Sequence, residues 1–185
     1  MRSLQGYFLA ASPHLDDSPF SQTVILLLYH QEDGAFGVVL NRPIDQTVES
    51  LWSQLSDQPC TCERRLNMGG PVSGPLMALH RDEALSEMEV EVPGGVYVAA
   101  TKEHLEKLIA DTTEPCRIFV GHAGWAAGQL EREIEAGVWL VAPATAEQVF
   151  SEDENLWRNV LSQIGQAILF SALKIKHVPP DISWN

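Results

Sequence analysis

Cations, cysteines and long apolar runs are scarce in this 185-residue chain, and each scarcity excludes a class of function. Twelve Lys and Arg stand against 25 Asp and Glu, a formal net charge of -13. A surface of that sign repels phosphate backbones and anionic lipid, whose recognition needs clustered cations. Neither direct nucleic-acid binding nor membrane binding is therefore expected. The three cysteines, Cys60, Cys62 and Cys116, make no disulfide framework. Cys60-Thr61-Cys62 offers two ligands where structural zinc takes four, so no metal is expected there. No apolar run reaches the roughly 18 residues of a membrane helix, and the longest, Val24 to Tyr29, is strand-sized. The N-terminus shows no charged n-region followed by a long apolar segment and cleavage site. A cytoplasmic or equivalent reducing location follows as the expectation.

The common catalytic signatures are missing as well. There is no G-x-x-x-x-G-K-S/T phosphate loop, no G-x-G-x-x-G, no G-x-S-x-G elbow and no H-E-x-x-H. The six histidines (His14, His30, His80, His104, His122 and His177) include no i, i+4 pair. A metal site would have to be assembled wholly by tertiary structure. His104 reads as a surface residue and His30 as a turn residue. Asp16-Asp17 lacks the spacing of a calcium loop and reads as an Asx turn before Ser18-Pro19. No cofactor is implied by any of these segments.

What is present describes a globular fold. Hydrophobic residues make up 45% of the chain, and the mean hydropathy is -0.06. A chain of this length suggests one domain spanning 1–185, large enough to fold without staples. Strands are expected over 6–11, 23–29, 35–40, 76–80, 96–100, 116–120 and 137–142, with 23–40 as a central hairpin. Val48, Leu51, Trp52 and Leu55 form an apolar stripe that predicts a helix over 47–55. Further helices are expected over 102–111, with Thr101 as its cap, and over 129–136, 144–149 and 154–165. Residues 121–128 read as a loop. Strands and helices alternate too irregularly for a βαβ repeat, so the expected class is α+β with a mixed, strongly curved sheet.

Two glycine-rich segments are the candidate ligand site. Asn67-Met68-Gly69-Gly70-Pro71-Val72 permits positive φ or close backbone approach. The run from Gly121 through His122, Gly124, Trp125 and Gly128 to Gln129 follows a strand and opens a helix, a geometry able to aim backbone N–H groups at an anion. The same run also reads as a structural corner that packs Trp125 against a sheet. Arg42 has a fork suited to carboxylate or phosphate. The candidate set is Asn41, Arg42, Gly69, Gly70, Gly121, His122, Gly124, Trp125 and Gln129.

These segments carry a family resemblance. Ser12-Pro13-x-Leu15-x-Asp17-x-x-Phe20, Gly34-Ala35-x-Gly37-x-Val39-Leu40-Asn41-Arg42-Pro43, Gly69-Gly70-Pro71-Val72 and Gly121-x-Ala123-Gly124-Trp125-x-x-Gly128-Gln129-Leu130-Glu131-x-Glu133-Ile134 occur in order. With Trp157-x-x-x-Leu161-x-x-Ile164-Gly165, they resemble the YqgE/AlgH family of bacterial proteins. His122 stands where that family usually has Tyr, and residues 166–185 form a divergent tail. The resemblance implies a single α+β domain whose bifurcated, partly barrel-like sheet is surrounded by helices. It implies no catalytic residues, and some members are called transcriptional regulators. The expected function is binding or regulation through a protein partner or a small molecule, as a monomer or weak homo-oligomer. The alternative is a small-molecule binder or hydrolase with a glycine-loop pocket near Arg42, Gly70 and His122.

The charge balance yields a first prediction. At physiological salt the chain should bind duplex DNA no more tightly than about 10⁻⁴–10⁻⁶ M, the nonspecific range. A gel-shift titration against genomic fragments checks this, and a nanomolar sequence-specific complex would contradict it.

Overall fold

A computed structural model describes residues 3–15, 18–55, 62–110 and 115–173. The expectations about Asp16-Asp17, Cys60-Thr61 and residues 174–185 fall outside those limits. Two sheets face each other. The first contains β1 (Tyr7–Ala11), β2 (Val24–Gln31), β3 (Gly34–Val39), β10 (Ala123–Ala126) and β11 (Trp139–Pro143), in the antiparallel order β10-β3-β2-β1-β11. The second contains β4 (Pro43–Thr47), β5 (Arg65–Met68), β6 (Met77–His80), β7 (Met88–Val90), β8 (Val96–Ala99) and β9 (Cys116–Val120), in the order β4-β5-β9-β6-β8-β7. Only the β5–β9 pair among its ladders is parallel. The α+β class with mixed sheets is the observed one, and both sheets stay open, so no barrel closes among the described residues.

Alternation along the strands sets the layers. Phe8, Leu26, Leu28 and Val38 from the first sheet meet Met77, Leu79, Val98 and Phe119 from the second in one inner core. The other faces are covered by helices. α1 (Val48–Leu55) and α2 (Lys102–Ala110) pack Trp52, Leu105 and Leu108 on the second sheet. α3 (Gln129–Glu135) packs Leu130 beneath the first sheet with Trp125 and Trp139. α4 (Ala146–Phe150) and α5 (Leu156–Ala172) close the inner core with Val149, Leu156 and Val160. Past Ile164, α5 outruns that core, leaving Ile168, Leu169 and Leu173 exposed. No described helix is long and apolar enough to cross a membrane.

Several expectations need correction. The 121–128 loop contains β10, which pairs antiparallel with β3 from Ala123↔Gly37 to Ala126↔Gly34. Its glycine and alanine content disguised the strand, since small side chains carry little β signal. β4 and β5 were likewise unread, being short and polar. Thr101 holds the N-cap position of α2, its carbonyl accepting from Leu105 N–H at 3.0 Å, but its hydroxyl and N–H donate to Glu87 Oε1 at 2.6 and 2.9 Å. His104 Nδ1 lies 3.0 Å from the same oxygen. His30 is no turn residue but a buried ring on β2. Leu4 N–H donates to its Nδ1 at 2.9 Å, which fixes Nε2 as the protonated nitrogen that donates to Glu131 at 2.7 Å.

His80 at the end of β6 is fully buried, and neither ring nitrogen has a hydrogen-bond partner among the described residues. Its nearest ring is Tyr97, with centroids 6.1 Å apart. Burial lowers its pKa from 6.5, overriding the charge and backbone of Asp82 and the charge of Glu87, while His104 adds to the lowering. Above pH ~6.5 the folded and unfolded rings are both neutral; below it the unfolded ring takes up a proton first. This ring therefore withdraws stability as pH falls below about 6.5, by at most about 1.4 kcal/mol per pH unit. In paired denaturant melts, the stability of His80→Phe should fall less between pH 7 and 5 than that of the parent chain. Parallel curves would show that the ring is not held neutral.

Candidate functional site

The site is built outward from β9. Alternation places Cys116 and Ile118 on the helix-covered face and Arg117 and Phe119 on the inner face. Phe119 belongs to the inner core. The Arg117 guanidinium lies 5.5 Å from its ring centroid, where the ring face attracts the cation. Arg117 Nη1 donates to the Val149 carbonyl at 2.8 Å and to the Ser151 carbonyl at 3.4 Å. Its Nη2 donates to the Leu40 carbonyl and, at 2.7 Å, to Asn67 Oδ1. Burial pulls its pKa down to about 10, against the opposing charge of Glu152. The group thus stays cationic at neutral pH.

Around it opens a cleft of about 900 Å³ between the β4–β5–β9 edge and the segment joining α4 to α5. Arg42, Arg64, Arg65, Arg117 and Arg158 all line it, five of the chain's 12 Lys and Arg. Arg42 is held by the carbonyls of Asn41 and Ser21. Asn41 accepts from Val24 N–H at 2.9 Å and donates to the Gln22 carbonyl at 2.8 Å, fixing the left-handed Gln22 (φ 55°) at the rim. None of Arg42, Arg65, Arg117 and Arg158 forms a salt bridge with a described carboxylate. Four acids nevertheless share the lining: Glu63, Glu152, Asp153 and Glu154. Cys116 also contributes to the cleft lining. Burial pushes its pKa up to about 11, although Arg64 pulls the other way, so at neutral pH it is a thiol and no nucleophile.

The glycine segments lie elsewhere. Val39 N–H donates to the Gly69 carbonyl and Gly69 N–H to the Val120 carbonyl, both at 2.8 Å. Gly69 therefore bonds to one strand of each sheet. A Cβ on Gly69 would sit 2.2 Å from the Gly121 carbonyl oxygen, and one on Gly70 would sit 2.2 Å from the His122 carbonyl carbon. Gly121 has φ 70°, in the left-handed region open to glycine. His122 and Val72 exchange two backbone hydrogen bonds at 3.0 Å. Trp125 is buried, and its Nε1 donates to Glu133 Oε2 at 2.8 Å, as does Trp139 Nε1. Gln129 Nε2 donates to the other carboxylate oxygen at 2.8 Å. Burial by itself raises the Glu133 pKa; the three hydrogen bonds and Arg132 outweigh it and hold the carboxyl below its ordinary value. Gly124 is exposed on β10. Of the candidate set, then, Asn41 and Arg42 reach the cleft. Gly69, Gly70, Gly121, His122, Gly124, Trp125 and Gln129 are absent from its lining. Sequence reasoning missed Arg64, Arg65, Arg117 and Arg158; the only available signal was that arginines so outnumber lysines.

A family model described as AlgH-like matches residues 8–169. The chain belongs to the AlgH-like family. It is 35% identical to a UPF0301 protein of Cytophaga hutchinsonii over 87% of this chain and 90% of that one. It is 38% identical to a UPF0301 protein of Chlorobaculum tepidum over 87% of each. The solution structure of the AlgH protein from Pseudomonas aeruginosa superposes with a TM-score of 0.73 at 29% identity, covering 97% of this chain and all of that one. A crystal structure of a Corynebacterium diphtheriae protein gives 0.70 at 26% identity, covering 88% of each chain. The AlgH-like motifs at 69–72 and 121–134 coincide with the sheet junction and the Glu133 hub.

That coincidence makes their stability role measurable. Trp125→Ala should destabilise the chain by about 3–5 kcal/mol. Glu133→Gln, which turns an amide N–H toward existing donors, should cost about 1–3 kcal/mol. His122→Ala keeps its backbone pair and should cost about 1 kcal/mol or less. Urea melts at pH 7 rank the three. The Glu133 contribution is complete above the unfolded carboxyl pKa and is lost as pH falls through the lower folded value, so the Glu133→Gln deficit should shrink in acid.

Proposed function

We propose that this is a cytoplasmic, non-catalytic binding protein that takes a small anionic ligand into the arginine cleft. It acts in regulation through a protein partner rather than through DNA, as a monomer or weak homo-oligomer. One observation carries the reading: a chain of net charge -13 gathers five of its 12 cations around a single cleft. Guanidinium forks bind carboxylate and phosphate bidentately. The fixed Arg42 and Arg117 set the positive floor, and the exposed Arg65 and Arg158 are free to close on a ligand. Asn41 positions Arg42, while the glycine-loop residues serve the frame that holds the cleft open. The groups best suited to catalysis are already committed: both nitrogens of His30 are engaged, Glu133 accepts three bonds and Cys116 is a thiol. This arrangement suits holding a ligand better than transforming one.

Calorimetric titration with small carboxylates and inorganic phosphate tests the reading. Binding should be detectable and should weaken with added salt. Arg65→Ala/Arg158→Ala should weaken it at least about tenfold, since each charge-assisted bond is worth roughly 1.5–3 kcal/mol. Affinities unchanged in that variant, or no heat from any anion, would refute it.

A further inference from the structure

We infer that the ligand of this cleft is a zwitterion, an amino acid or short peptide whose carboxylate meets the arginines and whose ammonium meets the acidic lip at 152–154. The inference rests on the anion-binding reading above and narrows it. Oppositely charged side chains that line one cleft can pair by charge-assisted hydrogen bonds. Here Glu152, Asp153 and Glu154 share the lining with Arg42, Arg65, Arg117 and Arg158, yet none of those four arginines pairs with a described carboxylate.

Three of these groups are held by the fold. Arg117 is occupied by the carbonyls of Val149, Ser151 and Leu40 and by Asn67. Arg42 is occupied by the carbonyls of Asn41 and Ser21. Asp153 accepts from Asn155 N–H at 2.8 Å and from Asn159 Nδ2 at 2.6 Å. Arg42, Arg117 and Asp153 are thus anchored to the fold rather than to an opposite charge in the cleft, while Arg65, Arg158, Glu152 and Glu154 stand exposed. The acidic lip runs directly into α5, whose first turn holds no acid of its own.

A simple anion in such a cleft is attracted by the arginines and repelled by Glu152 and Glu154. A simple cation meets the reverse. A molecule carrying both charges a few bonds apart gains at both poles. Phe150, Leu156 and Trp157 supply an apolar wall for the carbon skeleton between them. The volume of about 900 Å³ accommodates a ligand larger than a bare ion.

The experiment is calorimetric titration of the full chain with ligand pairs that differ only in the amine: alanine against propionate, aspartate against succinate, glutamate against glutarate, and dialanine against its N-acetyl form. The expected result is at least one pair in which the amine-bearing member binds tenfold or more tighter. Glu152→Gln/Glu154→Gln should abolish that preference and leave the desamino acid binding at least as well as before. Arg65→Ala/Arg158→Ala should weaken both members. All four positions are exposed, so the melting curves of the variants should overlay the parent and separate binding from folding. Equal binding within every pair, with both members weakened by the arginine double variant, overturns the zwitterion while leaving the anion reading standing. A preference that survives Glu152→Gln/Glu154→Gln also overturns it. No binding by any member, or binding indifferent to the arginine double variant, overturns both readings.

Discussion

The Arg117 guanidinium is the contact on which the cleft depends. A buried cation is costly unless its donors are satisfied, and here four acceptors from three parts of the chain converge on it. Leu40 belongs to the end of the central hairpin, Asn67 to β5, and Val149 and Ser151 to the C-terminal end of α4 and the turn after it. One side chain thereby ties both sheets to the segment that leads into α5. The carbonyls at the end of α4 also lie where a helix is electrostatically negative, so a cation is well placed there. The strength of this arrangement explains why Arg117 does not seek a carboxylate, although Glu152 lies close enough to stabilise its charge.

A second constraint acts at the other side of the sheet junction. The chain at 69–70 must pass so close to 121–122 that no side chain fits between the two backbones. Glycine there is a requirement of approach. The Gly69 N–H and carbonyl each serve a different sheet, which lets two open sheets share an inner core without a barrel closing. The segments at 69–72 and 121–134 thus maintain the frame, while the charged lining of the cleft is drawn from residues spread between Arg42 and Arg158.

That division explains what the sequence disclosed. The central hairpin, β6, β8 and β9 were legible as short apolar, β-branched runs, several of them buried on both faces, and α1 by its stripe at a period of 3.6. The corner role of Trp125 was legible because a tryptophan among glycines needs a wall. β10 was not, since alanine and glycine leave no pattern and its pairing with β3 is long-range. The site was half legible. Arg42 stood inside a recognisable motif, but Arg65, Arg117 and Arg158 sit in three unrelated segments, and only the packing of β9 against α4 and the start of α5 brings them together. His30 misled for a related reason: a polar residue near a strand end resembles a turn until its two partners, Leu4 and Glu131, are seen across the fold.

The hub at Glu133 gives the protein an optical property. Two of its five tryptophans direct their indole N–H groups at the same carboxylate oxygen, and their rings meet edge-on with centroids 5.9 Å apart. Their excited states therefore share one fixed negative charge and one another. Intrinsic emission from the α3 side of the first sheet reports on a single ionisable group, so its colour and intensity follow the integrity of that corner independently of events at the cleft, where Trp157 is the resident indole.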